Sequence, residues 1–244
     1  MEGLTKVSGV HSLMSLSNFY LKLSNFGSFL DQSDIKALVY LKPRNFAVCG
    51  KVLEDGNGAI RFYVDGMFTT FLLNLLTPRS LTIEREFFDF SGAADFCFRE
   101  LISRNLNVLA LGGNSKQAES FRIVMQNRYP ELGLEVVDGF RSLDELVEFA
   151  GESSADICLV GLGVGKQEIF CERIGKKSVT CGAFISQTGD SLVNQGSFYP
   201  RWAIRYNLRF VYRCFESPKH GLVALGCSIK FVLWILTKMV RNDI

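Results

Sequence analysis

The sequence predicts an α/β protein with a Rossmann-like, mostly parallel sheet, helices on both faces, and a C-terminal helical appendage. Short apolar runs alternate with longer helical patterns along most of the chain, and this alternation is typical of a parallel, doubly wound sheet with right-handed crossovers. Several apolar runs end at glycine-rich or polar turns, where open α/β sheets bind ligands. A basic, helical composition begins near Tyr199 and Pro200. We therefore expect an α/β core over residues 1–199 and a basic, amphipathic, membrane-associating appendage over 200–244.

The apolar runs and the turn residues between them predict the elements of this core. In chain order they are strand 37–41, strand 61–65, helix 67–76, helix 93–103, strand 107–111, helix 116–129, strand 134–137, helix 143–149, strand 157–160, helix 167–174, strand 178–184 and a helical pattern from residue 202 onward. The strands are short runs rich in valine, leucine and aromatic residues. Pro43, Pro78 and Pro130 follow the first strand and two of the helices, where proline interrupts backbone hydrogen bonding. Residues 1–34 show no clear pattern and receive no assignment.

The composition is that of a globular protein. The chain has 244 residues, of which 48% are hydrophobic and 21% charged, and its formal net charge is +2. These values exclude a disordered chain, and the bulk charge gives no reason to expect nucleic acid as a partner. Seven cysteines occur without a C-x-x-C pair, and only two histidines are present. This usage favours reduced, buried thiols in a cytoplasmic protein without a zinc site. Residues 1–17 lack a charged region followed by a long apolar core, so we expect no secretory signal.

The apolar segment 221–240 raises the question of membrane contact. Its length is near that needed to span a bilayer, but Lys230 stands at its middle, which disfavours a simple span. Trp234 and the basic flanks favour a helix that lies on the membrane surface. A helix packed into the domain core is the second alternative, and a spanning helix is the third.

A glycine loop with a polar end is the most informative feature of the sequence. The predicted strand 157–160 is followed by three glycines and then by a polar cluster. These residues are Gly161, Gly163, Gly165, Lys166, Gln167 and Glu168. Glycines let a backbone approach a ligand closely, and free N–H groups at a helix start favour an anion such as a diphosphate. The alternative is an ordinary turn, which the glycine spacing alone favours, whereas the polar cluster favours a ligand site.

Two charged residues are further candidates. Asp65 ends a predicted strand and can accept a proton from a hydroxyl nucleophile as a general base. Its alternative role is to cap the helix that starts near Met67. Arg85 is suited to bind a phosphate with two hydrogen bonds. Its alternative role is a surface ion pair with Glu84 or Glu86.

A second glycine turn follows the predicted strand 107–111. Gly112 and Gly113 lie between that strand and the start of a helix, so they are candidates for holding a nucleotide or its phosphates. The turn matches neither G-x-G-x-x-G nor the P-loop pattern, so neither dinucleotide nor ATP binding is indicated. A plain tight turn is the alternative.

Arginines recur with helical spacing in the appendage. Arg201, Arg205, Arg209 and Arg213 are four residues apart, and on one helix they share a face, with Lys219 following. Like charges on one face repel one another unless an anion lies between them. The candidate anions are a nucleotide diphosphate, a lipid diphosphate and an anionic membrane surface. The alternative is a solvated helix face.

Taken in order, these motifs resemble those of the WecG/TagA/CpsF family of bacterial glycosyltransferases. The strongest similarity is between Val160-Gly-Leu-Gly-Val-Gly-Lys-Gln-Glu168 and the family's lGsPKQE signature, and Tyr63-Val-Asp-Gly-Met67 is similar to its aspartate motif. The other similar segments are Glu84-Arg85 with Asp89-Phe-Ser91, Leu111-Gly-Gly113 with Arg128-Tyr-Pro130, and Tyr199-Pro-Arg-Trp202 with Tyr212-Arg213 and Glu216-Ser-Pro218. The resemblance covers roughly residues 35–220.

The resemblance implies an inverting, metal-independent enzyme without a cofactor that transfers a sugar from a UDP-sugar. The donor carries N-acetylmannosamine or its uronic acid in the best-known members. The acceptor is a sugar on a polyprenyl diphosphate at the cytoplasmic membrane face, in cell-surface polysaccharide or teichoic acid biosynthesis. Asp65 would be the general base, Gln167 would hold the donor, and Arg85 would lie in the same pocket. Candidates for neutralising a diphosphate are Arg205, Arg209, Arg213 and Lys219.

Two departures from the family pattern concern the donor site. Lys42 stands where asparagine is expected, and Gly165 replaces the signature proline. One rival hypothesis is therefore a non-catalytic, membrane-associated adaptor that binds a UDP-sugar. A Rossmann-type oxidoreductase is a second rival, which the missing G-x-G-x-x-G disfavours. The substrate-binding candidates are Lys42, Arg85, Gly112, Gly113, Gly163, Lys166, Gln167 and Glu168. The oligomeric state stays open, a homo-oligomer included.

Overall fold

A single parallel sheet organises the part of the chain that the structure describes. The computed structural model describes residues 20–46, 49, 59–76, 82–194, 200–206, 208–216 and 218–240. The strands are β1 (Ala37–Leu41), β2 (Ile60–Val64), β3 (Val108–Gly112), β4 (Leu134–Val137), β5 (Ile157–Gly161) and β6 (Lys177–Thr180). All pairings are parallel, and the strand order across the sheet is β2-β1-β6-β5-β3-β4. This architecture confirms the predicted α/β class.

Ten α-helices surround the sheet within the described residues. They are α1 (Phe26–Asp31), α2 (Met67–Leu76), α3 (Ala94–Ser103), α4 (Ser115–Arg128), α5 (Leu143–Glu152), α6 (Lys166–Arg173), α7 (Phe184–Asn194), α8 (Arg201–Arg205), α9 (Arg209–Glu216) and α10 (Pro218–Val240). A short 3-10 turn, Leu23–Asn25, precedes α1. The predicted helix 67–76 and strand 37–41 have the bounds that the sequence indicated, and most other elements differ by a few residues.

Alternate residues of the strands face two hydrophobic clusters, one on each side of the sheet. In β1, Val39 belongs to one cluster and Leu38 to the other. The first cluster includes apolar side chains from α2, α5, α6 and α10, and the second includes side chains from α1, α3, α4 and α7. Because both faces are covered, β1 is buried along its whole length instead of alternating between buried and exposed residues.

The last strand is shorter than predicted. The expected strand 178–184 is wrong at its C-terminal end, because β6 stops at Thr180 and α7 begins at Phe184. Gly182 has a φ of +60°, in the left-handed region that glycine adopts readily, and it turns the chain from the strand into the helix. The predicted strand extends to Phe184 because an apolar run alone does not separate a strand from a helix start.

The spacing of the four arginines in the appendage predicts that they lie on one helix, but the structure places them on two. Arg201 and Arg205 belong to α8, whereas Arg209 and Arg213 belong to α9. The Leu208 N–H donates to the Ala203 carbonyl, five residues back at 2.9 Å, so the bonding pattern of α8 ends there. The expectation of one unbroken helix is therefore wrong, whereas a common face of the four side chains stays a prediction.

The helix α10 packs on the core through one aromatic residue. Phe231 is 1% exposed and belongs to the first cluster, and its ring centroid lies 4.9 Å from that of Phe46. Much of the rest of the helix is exposed, including Leu222 and Leu225. Among the described residues, no helix has the length and apolar character needed to cross a membrane.

Candidate functional site

The carboxyl ends of the parallel strands place several of the candidate residues at one edge of the sheet. Leu41, the last residue of β1, is paired in register with Val64, the last residue of β2. Lys42 and Asp65, the residues that follow these two strand ends, are therefore neighbours. Lys42 Nζ lies 2.5 Å from Asp65 Oδ2, so the candidate general base is held in an ion pair.

Both members of this pair can be reached from outside. Their side chains are 38% exposed for Lys42 and 19% exposed for Asp65. The Lys42 ammonium also lies 4.8 Å from the centroid of the Tyr40 ring, at a cation–π distance. Burial, with nearby Glu168 and Asp65, raises the pKa of Tyr40 well above its usual range. Tyr40 therefore contributes an uncharged wall to the site.

Glu168 is the centre of a buried hydrogen-bond network. Its Oε1 accepts from Asn45 Nδ2 at 3.0 Å and from Gln167 Nε2 at 2.8 Å. Its Oε2 accepts from the Gly165 N–H at 2.6 Å, which forms half of a capping box at the start of α6. Glu168 is 2% exposed and Gln167 is 0% exposed. These two residues hold the glycine loop and the loop after β1 together.

Asn45 is a residue that the sequence analysis missed. It is fully buried, its Oδ1 accepts from the Lys42 N–H at 2.8 Å, and its Nδ2 donates to the Tyr40 carbonyl at 2.6 Å. It thus connects Glu168 to the backbone that carries Lys42. The available signal was an asparagine three residues after Lys42 in a proline-containing turn, because asparagine side chains often bond to nearby backbone groups in turns.

Gln167 carries a polar atom without a partner in the described part of the chain. Its Oε1 is buried and accepts no hydrogen bond from any described residue, although such atoms are nearly always satisfied in folded proteins. The Nε2 of the same side chain donates to Glu168 Oε1, and the whole side chain is buried. In this arrangement, Gln167 lies at the site edge without being open to a substrate.

Lys166 and the two glycines at the end of β3 contact other parts of the protein. Lys166 Nζ donates to the Gly139 carbonyl at 2.8 Å and also to the Arg141 carbonyl. A Cβ on Gly112 would lie 2.9 Å from the Gly161 carbonyl oxygen, so this glycine allows two strand ends to pack closely. Gly113 has a φ of +68° at the turn into α4.

The glycine loop itself faces open space. Gly163 and Gly165 have φ values of +84° and +92°, and a Cβ at either position would meet nothing within 4 Å. A proline cannot adopt the conformation of Gly165, since its ring fixes φ near −65°. The loop therefore has a backbone conformation that the signature proline would not allow.

Arg85 lies in a segment that runs past the end of β2. The Glu86 N–H donates to the Val64 carbonyl at 2.8 Å, which places Arg85 beside the strand that ends at Asp65. Glu84 pairs with Lys22 at 2.6 Å, and burial raises the pKa of Glu86. The Arg85 guanidinium carbon lies 5.1 Å from the centroid of the Phe87 ring.

The amino-acid sequence matches a known protein family over most of the chain. The sequence profile of the glycosyl transferase WecG/TagA/CpsF family matches residues 57–243. The chain belongs to this family. No curated protein sequence matches the chain. The match includes Asp65 and the Lys166-Gln167-Glu168 cluster, whereas Lys42 and Asn45 precede it.

The basic residues of the appendage in this glycosyltransferase are only partly described. Arg205 and Lys219 are exposed, and the Arg205 guanidinium carbon lies 5.8 Å from the centroid of the Tyr206 ring. The side chains of Arg209 and Arg213 lie outside the described part of the structure. The expected convergence of these cations on the Asp65 edge therefore stays a prediction.

The cysteines of the glycosyltransferase are free thiols. Burial raises the pKa of Cys158 and of Cys171 to about 12. No group of histidine, cysteine, aspartate and glutamate side chains suited to a metal ion occurs among the described residues. The described site consists of one accessible carboxylate, an adjacent ammonium group and an open glycine loop.

Proposed function

We propose that this glycosyltransferase moves a sugar resembling N-acetylmannosamine from a UDP-sugar to a sugar on a polyprenyl diphosphate, with inversion and without a metal. The product would enter cell-surface polysaccharide or teichoic acid biosynthesis. The observation that carries the proposal is Asp65, an accessible carboxylate at the carboxyl edge of a parallel sheet. Such a carboxylate has the chemistry of a general base for an acceptor hydroxyl.

In the proposed reaction, the acceptor hydroxyl oxygen attacks the anomeric carbon of the donor sugar. Asp65 takes the hydroxyl proton while the bond between the anomeric carbon and the diphosphate oxygen breaks. UDP leaves with the electron pair of that bond, and its developing negative charge needs nearby cations or N–H groups. Lys42, Arg85 and the backbone of the loop around Gly163 are the groups we assign to this task.

We assign different roles to the two residues of the Gln-Glu signature. Glu168 would act through Asn45 to position Lys42, because Asn45 donates to Glu168 at 3.0 Å and accepts from the Lys42 N–H at 2.8 Å. Gln167 would contact the donor only after the glycine loop moves, because its side chain is buried. Its unpartnered Oε1 is the atom available to a donor hydroxyl.

We further propose that residues 200–244 attach the enzyme peripherally to the cytoplasmic face of the membrane. Exposed leucines on α10 and the exposed side chain of Lys219 support this assignment. Apolar and cationic groups together favour binding to anionic lipid surfaces. Arg205, Arg209 and Arg213 would neutralise the diphosphate of the acceptor or of the leaving group.

A non-catalytic adaptor that binds a UDP-sugar is the second candidate function. The observation in its favour is the ion pair itself. Lys42 contacts Oδ2 of Asp65, the carboxylate that must accept a proton in catalysis. In the catalytic proposal, an arriving anionic substrate draws Lys42 away from Asp65. In the adaptor, the pair would stay closed.

The two candidates are separated by measuring UDP release across a panel of UDP-sugars with a polyprenyl-diphosphate-sugar acceptor. We expect turnover by the natural chain, and a loss of roughly a hundredfold or more in Asp65→Asn with UDP binding retained. Asp144→Asn is the matched control, because Asp144 is an exposed carboxylate paired at 2.8 Å with Arg173, the last residue of α6. UDP binding without turnover for any donor would favour the adaptor.

A further inference from the structure

The helix α2 presents an unusual apolar surface to the outside. Four of its large apolar side chains are exposed by about half or more of their surface. They are Met67 at 56%, Phe68 at 47%, Phe71 at 62% and Leu75 at 61%. Their spacing places them along one side of the helix. We call these four residues the α2 apolar face.

This face cannot be explained as part of the protein interior. The opposite side of α2 is anchored by Leu73, which is 1% exposed and belongs to the first hydrophobic cluster. Thr69 is also buried on that side. The helix contains no charged residue between Met67 and Leu76, whereas a helix that is solvated on its outer side normally carries charges there. Contiguous exposed apolar surface of this kind marks an interaction site.

The α2 apolar face begins beside the candidate base. Met67 is two residues after Asp65, so the first turn of the face lies at the same edge of the sheet as the Lys42–Asp65 pair. An acceptor whose hydroxyl reaches Asp65 would pass close to these side chains.

The helix α10 also contacts the loop at this edge of the sheet. Phe231 packs on Phe46, which follows Asn45 in the loop that carries Lys42. The outer side of α10 exposes further apolar side chains, namely Leu222, Leu225, Ile229, Leu233 and Leu236. The helix contains lysines and no acidic residue from Pro218 to Val240. Two exposed apolar helix sides, one of them cationic, thus border the loop next to the site.

We propose that the α2 apolar face inserts into the surface of an anionic phospholipid bilayer and presents Asp65 to an acceptor held there. The lysines of α10 complement the charge of such a bilayer. A second copy of the chain would offer no acidic side chain on either helix to pair with these lysines, because α2 has no charged residue and α10 has no acidic one. The inference rests on the proposed function in one respect, since it assumes that the acceptor is anchored in lipid.

The appendage and the α2 apolar face would therefore have different roles at the membrane. The appendage attaches the enzyme to the membrane, and the α2 apolar face sets the depth and orientation of the active-site edge. Transfer to a lipid-anchored acceptor then depends on this face. Transfer to a short-chain, water-soluble acceptor does not, because that acceptor diffuses to Asp65 from solution.

Vesicle flotation of the full chain tests this inference. The probe is a vesicle of phosphatidylcholine with phosphatidylglycerol, compared with phosphatidylcholine alone. We expect Phe68→Ser combined with Phe71→Ser to weaken partition onto the anionic vesicles by about tenfold or more, from the apolar area that each phenylalanine buries. The midpoint of thermal unfolding of this double variant, called the α2 variant below, should match that of the natural chain, since both side chains are exposed.

The matched control is Phe96→Ser combined with Ile123→Ser. These residues are exposed on α3 and α4, on the other side of the sheet, and their replacement should leave flotation unchanged. Equal flotation of the natural chain and the α2 variant would overturn the inference. A natural chain that is dimeric in solution, with a monomeric α2 variant, would overturn it in favour of a second copy as the occupant.

Activity measurements separate this inference from the proposed function. We expect the α2 variant to lose transfer to the vesicle-bound acceptor by about tenfold or more while keeping transfer to the water-soluble acceptor. Equal losses on both acceptors would overturn the lipid role of the face. If the natural chain transfers sugar to neither acceptor, the proposed function fails, and flotation alone still decides whether the face binds lipid.

Discussion

Lys42 Nζ and Asp65 Oδ2 lie 2.5 Å apart because two neighbouring parallel strands end in register. The Asp65 N–H donates to the Leu41 carbonyl at 3.3 Å, which continues the β1–β2 ladder by one residue. The pair therefore has a fixed backbone on both sides. Its ammonium group is supplied by Lys42, which lies before the residues that match the family profile.

Replacing Lys42 tests whether the ion pair serves catalysis. We expect Lys42→Met to lower UDP release by roughly tenfold to a hundredfold, because the variant loses a cation beside the reacting groups. The free energy of unfolding should change by less than about 1 kcal/mol, since the pair is partly exposed. The measurements are steady-state turnover and urea unfolding. Lys42→Arg, which keeps the charge, should recover part of the activity, and full activity in Lys42→Met would show that the pair is dispensable.

Removing the Glu168 carboxylate should destabilise the fold. Glu168→Ala leaves three donors without their acceptor, on Asn45, Gln167 and Gly165. We expect the free energy of unfolding to fall by about 2 to 4 kcal/mol, measured by urea denaturation. Glu172→Ala is the control, because it is an exposed residue of the same helix and should change stability by less than about 0.5 kcal/mol. Similar effects of the two substitutions would refute the role of the buried network.

Truncating Phe231 should show that the appendage is also part of the core. Phe231→Ala removes a fully buried ring that packs on Phe46, and we expect a loss of about 3 to 5 kcal/mol in the free energy of unfolding. Leu233→Ala is the control on the same helix, since Leu233 is 56% exposed. If both variants unfold at the same urea concentration as the natural chain, α10 contributes nothing to core stability.

The buried thiols predict a fall in stability at alkaline pH. Burial raises the pKa of Cys158 and of Cys171 to about 12, so the folded state keeps both protons. The unfolded thiols ionise near their ordinary value of about 8.5, above which the unfolded state binds fewer protons and is favoured. Each thiol then lowers the free energy of unfolding by up to about 1.4 kcal/mol per pH unit.

Urea unfolding with a reducing agent, followed from about pH 8 to about pH 10, measures this slope. Because other groups also titrate in that range, the informative quantity is the difference between the natural chain and Cys158→Ala. We expect a shallower slope in the variant. Identical slopes would mean that the thiol of Cys158 ionises equally in the folded and unfolded states.

Elements whose ends are marked by nearby residues in the sequence were predicted with the correct bounds. Strand 37–41 and helix 67–76 were predicted with their observed bounds, because continuous apolar runs there end at Pro43 and Pro78. The strand 178–184 was too long, since the turn at Gly182 depends on how the end of β6 meets α7. The single helix expected to carry the four arginines was wrong, because spacing alone does not reveal the helix break before Arg209.

The sequence by itself determined the α/β class, the order of the elements and the family, because periodic hydrophobicity and short contiguous motifs carry that information. Only the tertiary structure decided that Lys42 pairs with Asp65, that Asn45 bonds to Glu168 across 123 residues of chain, and that Phe231 enters the core. The physical reason for the first two contacts is the strand order β2-β1-β6-β5, which brings the segments after β2, β1 and β5 to one edge of the sheet; the third depends on how α10 packs on the core. Residues at the carboxyl ends of those strands meet whatever their separation along the chain.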